Sequence, residues 1–130
     1  MADHPNVTLM KKGYAAFSAG DMDGVKAVFD AHIVWNFPGK NHLSGAHRGM
    51  DNVLALFLQQ MQETDGTFKV ELHDVLANDE HAVALAYFSG TKGGKSIKDR
   101  YTHVNHVKGG KVTESWIFVE NQLQDDAFWG

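Results

Sequence analysis

The segment from residue 99 to residue 105 holds the residue types best suited to moving a proton. In a β-strand every second side chain shares a face, so one polar ladder would comprise Asp99, Tyr101, His103 and Asn105. A histidine has an unperturbed pKa of about 6.5, which suits acid or base chemistry at neutral pH, and a nearby aspartate can orient its ring. We therefore predict that His103 and Asp99 are the catalytic residues. The alternative is a half-buried histidine whose hydrogen bonds serve only the structure.

Metal and nucleotide chemistry find little support in the sequence. Eight histidines are present, but His103 and His106 would face opposite sides of a strand. The loop histidines His42 and His47 lack a carboxylate at a characteristic ligand spacing. No glycine-rich phosphate loop lies between a strand and a helix, because the glycine pairs occupy hairpin turns. We expect neither a bound metal nor a cofactor.

Length and composition limit the classes of protein to consider. A chain of 130 residues, 43% hydrophobic and 22% charged, fits one globular domain. A net charge of -4 leaves no basic excess for nucleic acid. No apolar run approaches the roughly 18 residues that span a bilayer, so no membrane association is expected. The absence of cysteine agrees with a reducing compartment, and the expected location is cytoplasmic.

The first half of the chain predicts three helices and one strand. A first helix covers Pro5 to Ser18, with apolar residues at spacings of three and four. Asp21 caps a shorter second helix, and a third helix carries a broad apolar face between Val53 and Met61. The branched and aromatic residues from Ile33 to Phe37 form a strand, and residues 39–49 form a loop.

The second half changes to the period of two that is typical of strands. A change of parity near His73 or Asp74 predicts a bulge that bends one strand. Two Lys-Gly-Gly-Lys segments supply the paired glycines of tight hairpins, and the late aromatic pair Phe128-Trp129 predicts a docked tail.

This order of elements predicts an α+β fold. Three helices would close over a strongly bent antiparallel sheet, since hairpin connections are too short for a parallel one. The resulting cone would enclose one mostly apolar pocket, and such pockets usually hold small molecules. The expected partner is therefore a hydrophobic small molecule.

Several short motifs in this order resemble the SnoaL-like branch of the nuclear transport factor 2 superfamily. They are Ala19-Gly20-Asp21, Val34-Trp35-Asn36-Phe37-Pro38-Gly39, Leu43-Ser44-Gly45-Ala46-His47-Arg48-Gly49, Val112-Thr113-Glu114-Ser115-Trp116 and Asp126-Ala127-Phe128-Trp129. The resemblance runs from about residue 5 to the end. It implies a conical fold and frequent homodimerisation through the sheet. Relatives include ketosteroid isomerases, polyketide cyclases, limonene-type epoxide hydrolases and non-catalytic binding modules, so fold alone does not fix function.

The chain departs from the ketosteroid isomerase pattern at two positions. Phe37 stands where those enzymes carry the carboxylate base, and Gly13 stands at their oxyanion tyrosine, with Tyr14 about 100° away on the helix. The second oxyanion donor of those enzymes corresponds to His103, which can also donate a hydrogen bond. Steroid isomerase chemistry is therefore not expected, although the pocket keeps a polar group.

The leading hypothesis is a cofactor-independent isomerase, cyclase or hydrolase acting on a hydrophobic substrate, with His103 moving a proton. It predicts a ring nitrogen of His103 open to an apolar pocket. The rivals are a binding module, whose polar groups would satisfy one another, and a dimerisation module with a filled cavity. Trp116 could line either the pocket or the dimer interface. The candidate ligand-binding residues are Tyr14, Trp35, Phe37, Phe57, Tyr101 and Trp116.

Overall fold

A computed structural model describes residues 3–130, which form four helices and six strands. The helices are α1 (Pro5–Ser18), α2 (Met22–Val28), α3 (Met50–Glu63) and α4 (Gln122–Trp129). Side chains at three helix starts accept hydrogen bonds from otherwise unpaired amides, as N-caps do: His4 at α1, Asp21 at α2 and Asn121 at α4. The structure confirms the expected α+β class.

The six strands form one curled sheet with the order β2-β1-β6-β5-β4-β3. They are β1 (Phe29–Phe37), β2 (Gly45–Arg48), β3 (Lys69–Ala77), β4 (His81–Lys92), β5 (Lys95–Lys108) and β6 (Lys111–Val119). All neighbours are antiparallel except β1 and β6, which are parallel. The expectation of a wholly antiparallel sheet is therefore corrected at that pair. The parallel pairing is possible because α3 and four strands lie between β1 and β6 in the chain.

The bulge in β3 and the two hairpin turns lie where the sequence predicts them. The register of β3 against β4 shifts between Leu72 and Asp74, which confirms the expected bulge. Both Lys-Gly-Gly-Lys segments form two-residue hairpin turns, since Lys92 pairs with Lys95 and Lys108 with Lys111. All four turn glycines have positive φ, between 55° and 80°, as such turns require.

Two elements were not expected. The docked tail is a fourth helix, α4, whose Phe128 and Trp129 are buried. Strand β2 occupies part of the predicted loop and pairs with the end of β1. Four residues without alternating hydrophobicity give no strand signal, so only the pairing with β1 defines β2.

The inner face of the sheet packs on the helices, and within residues 3–130 no helix covers the outer face. Along the first half of β4 the buried side chains are small, namely Ala82, Ala84 and Ala86, whereas the buried Phe88 further along lines the space between the sheet and the helices. Along β5 the buried positions alternate through Asp99, Tyr101, His103 and Asn105, as the sequence predicts for one face. Among residues 3–130, no helix is both long and apolar enough to cross a membrane.

Candidate functional site

A cavity of about 100 Å³ lies between the inner face of the sheet and the helices. For comparison, an apolar cavity of roughly 150 Å³ accommodates one benzene molecule. Most of its lining is aromatic or aliphatic, and α1, α3, α4 and β5 each add polar side chains. These polar residues are Tyr14, Gln60, Asp125, Tyr101 and His103.

His103 lies at one end of a chain of hydrogen bonds in this cavity, with Tyr14 at its centre. Its Nδ1 is 3.0 Å from the hydroxyl oxygen of Tyr14, which is 2.8 Å from the hydroxyl oxygen of Tyr101. The imidazole also packs against Trp35, with ring centroids 4.7 Å apart. His103 is 4% exposed, and its Nε2 is buried without a hydrogen-bond partner among the residues that the structure describes.

The number of available protons favours one tautomer of His103. If Tyr101 donates to Tyr14 and Tyr14 donates to Nδ1, both hydroxyl protons are used and Nε2 carries the remaining hydrogen. In the reverse direction the hydroxyl proton of Tyr101 loses its acceptor and Nε2 becomes an unpaired acceptor as well. Because unpaired buried donors are costly, the first arrangement is the more stable one. It presents a neutral Nε2–H donor.

Burial keeps this chain of groups uncharged at neutral pH. Desolvation lowers the pKa of His103 to about 3, so the imidazole remains neutral. Desolvation likewise raises the pKa values of Tyr14 and Tyr101 far above neutrality. The expectation of a histidine pKa suited to titration near pH 7 is therefore corrected. In this environment His103 is suited to hydrogen-bond donation, whereas an imidazolium acid would be unstable.

Five of the six candidate ligand-binding residues line the cavity together with His103. Tyr14 on α1 lines the cavity, although the position that corresponds to the tyrosine of ketosteroid isomerases is the preceding residue, Gly13. Trp35 and Phe37 share a face of β1, and Phe57 packs against Trp35 with ring centroids 4.9 Å apart. Tyr101 completes the set from β5.

Asp99 is not among the residues that line the cavity. One carboxylate oxygen accepts from the backbone N–H of Arg100 and the other from that of Asn121, both at 2.9 Å. Asn121 is the N-cap of α4, so Asp99 fastens that helix to the sheet. This corrects the expectation that Asp99 orients His103, since the ring is held by Tyr14.

Trp116 also lies outside the cavity, on the outer face of the sheet. Its neighbours Ser115 and Ile117 are buried on the inner face, and the alternation of β6 directs Trp116 the other way. There it packs on His106, with ring centroids 4.8 Å apart. Of the two placements that the sequence left open, the cavity wall is thus excluded.

Asp125 is a cavity residue that sequence reasoning missed. It is 1% exposed, and its two oxygens accept from Trp129 Nε1 at 3.1 Å and from Gln122 Nε2 at 3.3 Å. Burial is the main reason why the carboxyl pKa is raised to about 6; the charges of Asp126 and Asp99 add to this effect, and the hydrogen bonds from Trp129 and Gln122 oppose it. The spacing of Asp125 and Trp129, four residues apart, was the available signal once the tail is taken as a helix.

Other histidines serve elsewhere in the fold. His42 contacts the Glu63 carboxylate at 2.8 Å, and His47 contacts the Leu43 carbonyl oxygen at 2.7 Å. Across residues 3–130, no group of three or more histidine or carboxylate side chains is arranged to hold a metal ion.

A cone of helices over a curled sheet, with an aromatic cavity that contains a buried imidazole, defines a class of small α+β proteins. The model of the SnoaL-like domain matches residues 10–115, and the chain belongs to this family. An uncharacterized protein of Mycobacterium tuberculosis (strain ATCC 25618 / H37Rv) is 32% identical over 99% of both chains. Bal32a from a soil-derived mobile gene cassette is 31% identical over 97% of both chains, with a TM-score of 0.94. A candidate SnoaL-like polyketide cyclase from Jannaschia sp. CCS1 is 14% identical over 100% of this chain and 99% of that one, with a TM-score of 0.79, and shares the fold.

Proposed function

We propose that this protein is an isomerase- or cyclase-type enzyme whose cavity binds a small, mostly apolar carbonyl compound. His103 would contact the carbonyl oxygen through Nε2. The observation that carries the proposal is the buried Nε2 without a partner, beside an Nδ1 that Tyr14 holds in place. An unpaired buried polar atom costs stability, so a bound substrate that pairs with it explains why it is kept.

The proposed chemistry follows from the neutral state of the imidazole. When the Asp125 carboxylate, which also lines the cavity, takes a proton from the carbon beside a carbonyl group, negative charge develops on the carbonyl oxygen. A fixed N–H donor in a dry cavity stabilises that charge more strongly than water does, because it needs no reorganisation. The N–H of a neutral imidazole suits this role, because its acidity is closer to that of the enol than the acidity of an imidazolium would be. Cyclisation and isomerisation through an enolate both require such a donor.

A non-catalytic binding protein is the second candidate. It is favoured by the low pKa of His103, which makes the imidazole a poor base, and by the hydroxyl protons of Tyr14 and Tyr101, which are satisfied within the chain. In this alternative Nε2 would hold a carbonyl oxygen of a ligand that leaves unchanged.

Native mass spectrometry against a hydrophobic metabolite extract separates the two candidates. The experiment compares the wild type with His103→Gln, and uses His106→Gln as control because His106 is exposed on the opposite face of the same strand. An enzyme should retain a compound and convert it, and the conversion should fall at least about a hundredfold in His103→Gln only. Retention without conversion by the wild type and by His106→Gln, with weaker retention by His103→Gln, would favour the binding protein.

We also propose that two copies associate through the outer face of the sheet. This face carries half-buried Leu85, Tyr87 and Trp116 beside Phe118, which is 57% exposed. Contiguous apolar surface of this kind marks association sites. Sedimentation of Phe118→Ser should then show a smaller particle than the wild type. Leu123→Ser is the control, since Leu123 is 85% exposed on α4 and should leave the mass unchanged.

The cytoplasm remains the proposed location, and the support is the absence of cysteine from the chain. Fractionation of cells that produce the protein from its own gene would test it.

A further inference from the structure

Two histidines lie side by side on the outer face of the sheet, away from the cavity. His81 on β4 and His106 on β5 are direct partners in the register of the two strands, and their ring centroids are 4.9 Å apart. We propose that this pair binds a divalent transition-metal ion that prefers imidazole ligands, such as Cu²⁺, Ni²⁺ or Zn²⁺. The site is independent of the proposed function, because His106 and His103 face opposite sides of β5.

The separation of the two rings is the one that a shared metal ion requires. A metal ion lies about 2.0–2.1 Å from the imidazole nitrogen that binds it, and hence about 3.2 Å from the ring centre. Two rings that meet one ion at an angle between about 90° and 109° therefore have centres about 4.5–5.2 Å apart. The observed 4.9 Å lies within this range. Because His106 is exposed, rotation about its terminal side-chain bond can direct a nitrogen to the ion.

The hydrogen bonds of His81 leave its Nε2 available to a metal ion. Asn78 Oδ1 accepts from the backbone N–H groups of Glu80, at 3.0 Å, and His81, at 2.8 Å, so this atom is an acceptor. The Nδ1 of His81 lies 3.3 Å from the same oxygen and must donate to it. A neutral ring with its hydrogen on Nδ1 carries its lone pair on Nε2. Histidines that bind metal are usually held in this way, with the other nitrogen donating to an oxygen.

Nearby carboxylates favour a cation at this position. Glu114 on β6 is the register partner of His106, and one of its oxygens accepts from Asn36 Nδ2 at 3.0 Å. Directly opposed residues of neighbouring strands have Cβ atoms about 4.5–5.5 Å apart, so this negative charge lies close to the histidine pair. Glu80 adds a second carboxylate next to His81 in the chain. Neither needs to bind the ion, since water can fill the remaining positions.

A bound ion would fasten β4 to β5 beside the turn that joins β3 to β4. His81 is the first residue of β4, and Leu85 of the proposed association surface lies four residues, or about 13 Å, further along. The ion binds the paired strands and not the unfolded chain, so it should raise the stability of the protein. It takes no part in the chemistry of the cavity, and His106→Gln therefore remains a suitable control for turnover.

Titration of the protein with Cu²⁺ at pH 7.5 tests this site. Electron paramagnetic resonance of the wild type should show one Cu²⁺ ion bound to two imidazole nitrogens. His81→Gln and His106→Gln should each weaken this binding at least about tenfold, because even the loss of a group that only supports a metal ligand costs that much. His32→Gln changes an exposed histidine on β1 and should keep the wild-type affinity and spectrum. Far-ultraviolet circular dichroism should be the same in all four proteins.

Fluorescence locates the bound ion on the sheet. The ring centroids of Trp116 and His106 are 4.8 Å apart, so Cu²⁺ at the pair should quench the emission of Trp116. Trp116→Phe should lose this quenching and still bind Cu²⁺ as tightly as the wild type. A wild-type spectrum with a single nitrogen, unchanged affinity in both histidine variants, or no binding below about 100 µM Cu²⁺ would overturn the site. The two rings would then only pack edge to face.

Discussion

Tyr14 determines which nitrogen of His103 carries the hydrogen. Its hydroxyl lies 3.0 Å from Nδ1, and its own acceptor position is filled from Tyr101 at 2.8 Å. We predict that nitrogen-detected NMR of the wild type shows His103 neutral and protonated at Nε2. In Tyr14→Phe, Nδ1 loses its donor, so the signal should shift towards a mixture of tautomers, and stability should fall by about 1–3 kcal/mol.

Tyr101→Phe is the matched control for this prediction. It removes the hydroxyl that donates to Tyr14 but leaves the bond between Tyr14 and Nδ1, so the Nε2–H form should persist. A wild-type signal from the Nδ1–H form would contradict the assigned direction of the chain. It would also turn Nε2 into a base, and the proposed donation to a carbonyl oxygen would have to be abandoned.

The alternation of residues in β5 predicted which side chains share a face, but it did not predict how completely His103 is buried. Alternation alone places Asp99, Tyr101 and His103 together, and all three are buried on that face. The pKa of His103 depends on how completely the helices exclude water, which no pattern of residue types reports. Asp125 was missed for a similar reason, because its burial depends on the packing of α4 against the sheet.

Helix α4 is attached to the rest of the fold by hydrogen bonds as well as by its buried Phe128 and Trp129. Its N-terminal N–H at Asn121 donates to Asp99 on β5, and Asp126 accepts from the backbone of Lys40. The helix has only eight residues, which is too short to be stable without tertiary contacts. The cavity wall that α4 provides, through Asp125 and Trp129, therefore depends on these attachments.

We predict that Asp99→Ala loosens α4 and not the cavity end at His103. Loss of the acceptor for two partly buried amides should cost about 1 kcal/mol and speed hydrogen exchange in residues 124–129 at least tenfold. Asp51→Ala removes an exposed aspartate from the first turn of α3 and is the control. Exchange in α4 that stays at the wild-type rate would show that Asp99 does not fasten the helix.

Element types followed from periodicity, and the two unexpected elements show its limit. The first three helices have apolar stripes, and both hairpins have paired glycines, so their local sequences define them. Strand β2 has no strand signal of its own and depends on its pairing with β1, and the parallel pairing of β1 with β6 joins residues far apart in the chain. Such pairings depend on which edges of the sheet are free after the hairpins form, and local sequence does not contain that information.

The stability of the whole molecule should depend on pH through two buried groups that act in opposite directions. Folding lowers the pKa of His103 from about 6.5 to about 3, so this contribution is complete above pH 6.5 and is lost as pH falls towards 3. Folding raises the pKa of Asp125 from 3.8 to about 6, so its ionisation reduces stability as pH rises from about 4 to 6. Between pH 5 and pH 7.5 the two effects largely cancel.

Urea unfolding of single variants at pH 5 and pH 7.5 should separate the two contributions. Asp125→Asn removes the contribution of the Asp125 carboxyl and leaves that of His103. The free energy of unfolding of this variant should therefore rise by about 2 kcal/mol from pH 5 to pH 7.5, at 1.4 kcal/mol per pKa unit. His103→Gln should instead lose about 1 kcal/mol over the same interval, because only the smaller pKa shift, that of Asp125, then remains. The other titrating groups are common to all variants and cancel in the comparison. Parallel pH dependence in the two variants would show that neither group is as isolated from water as its burial indicates.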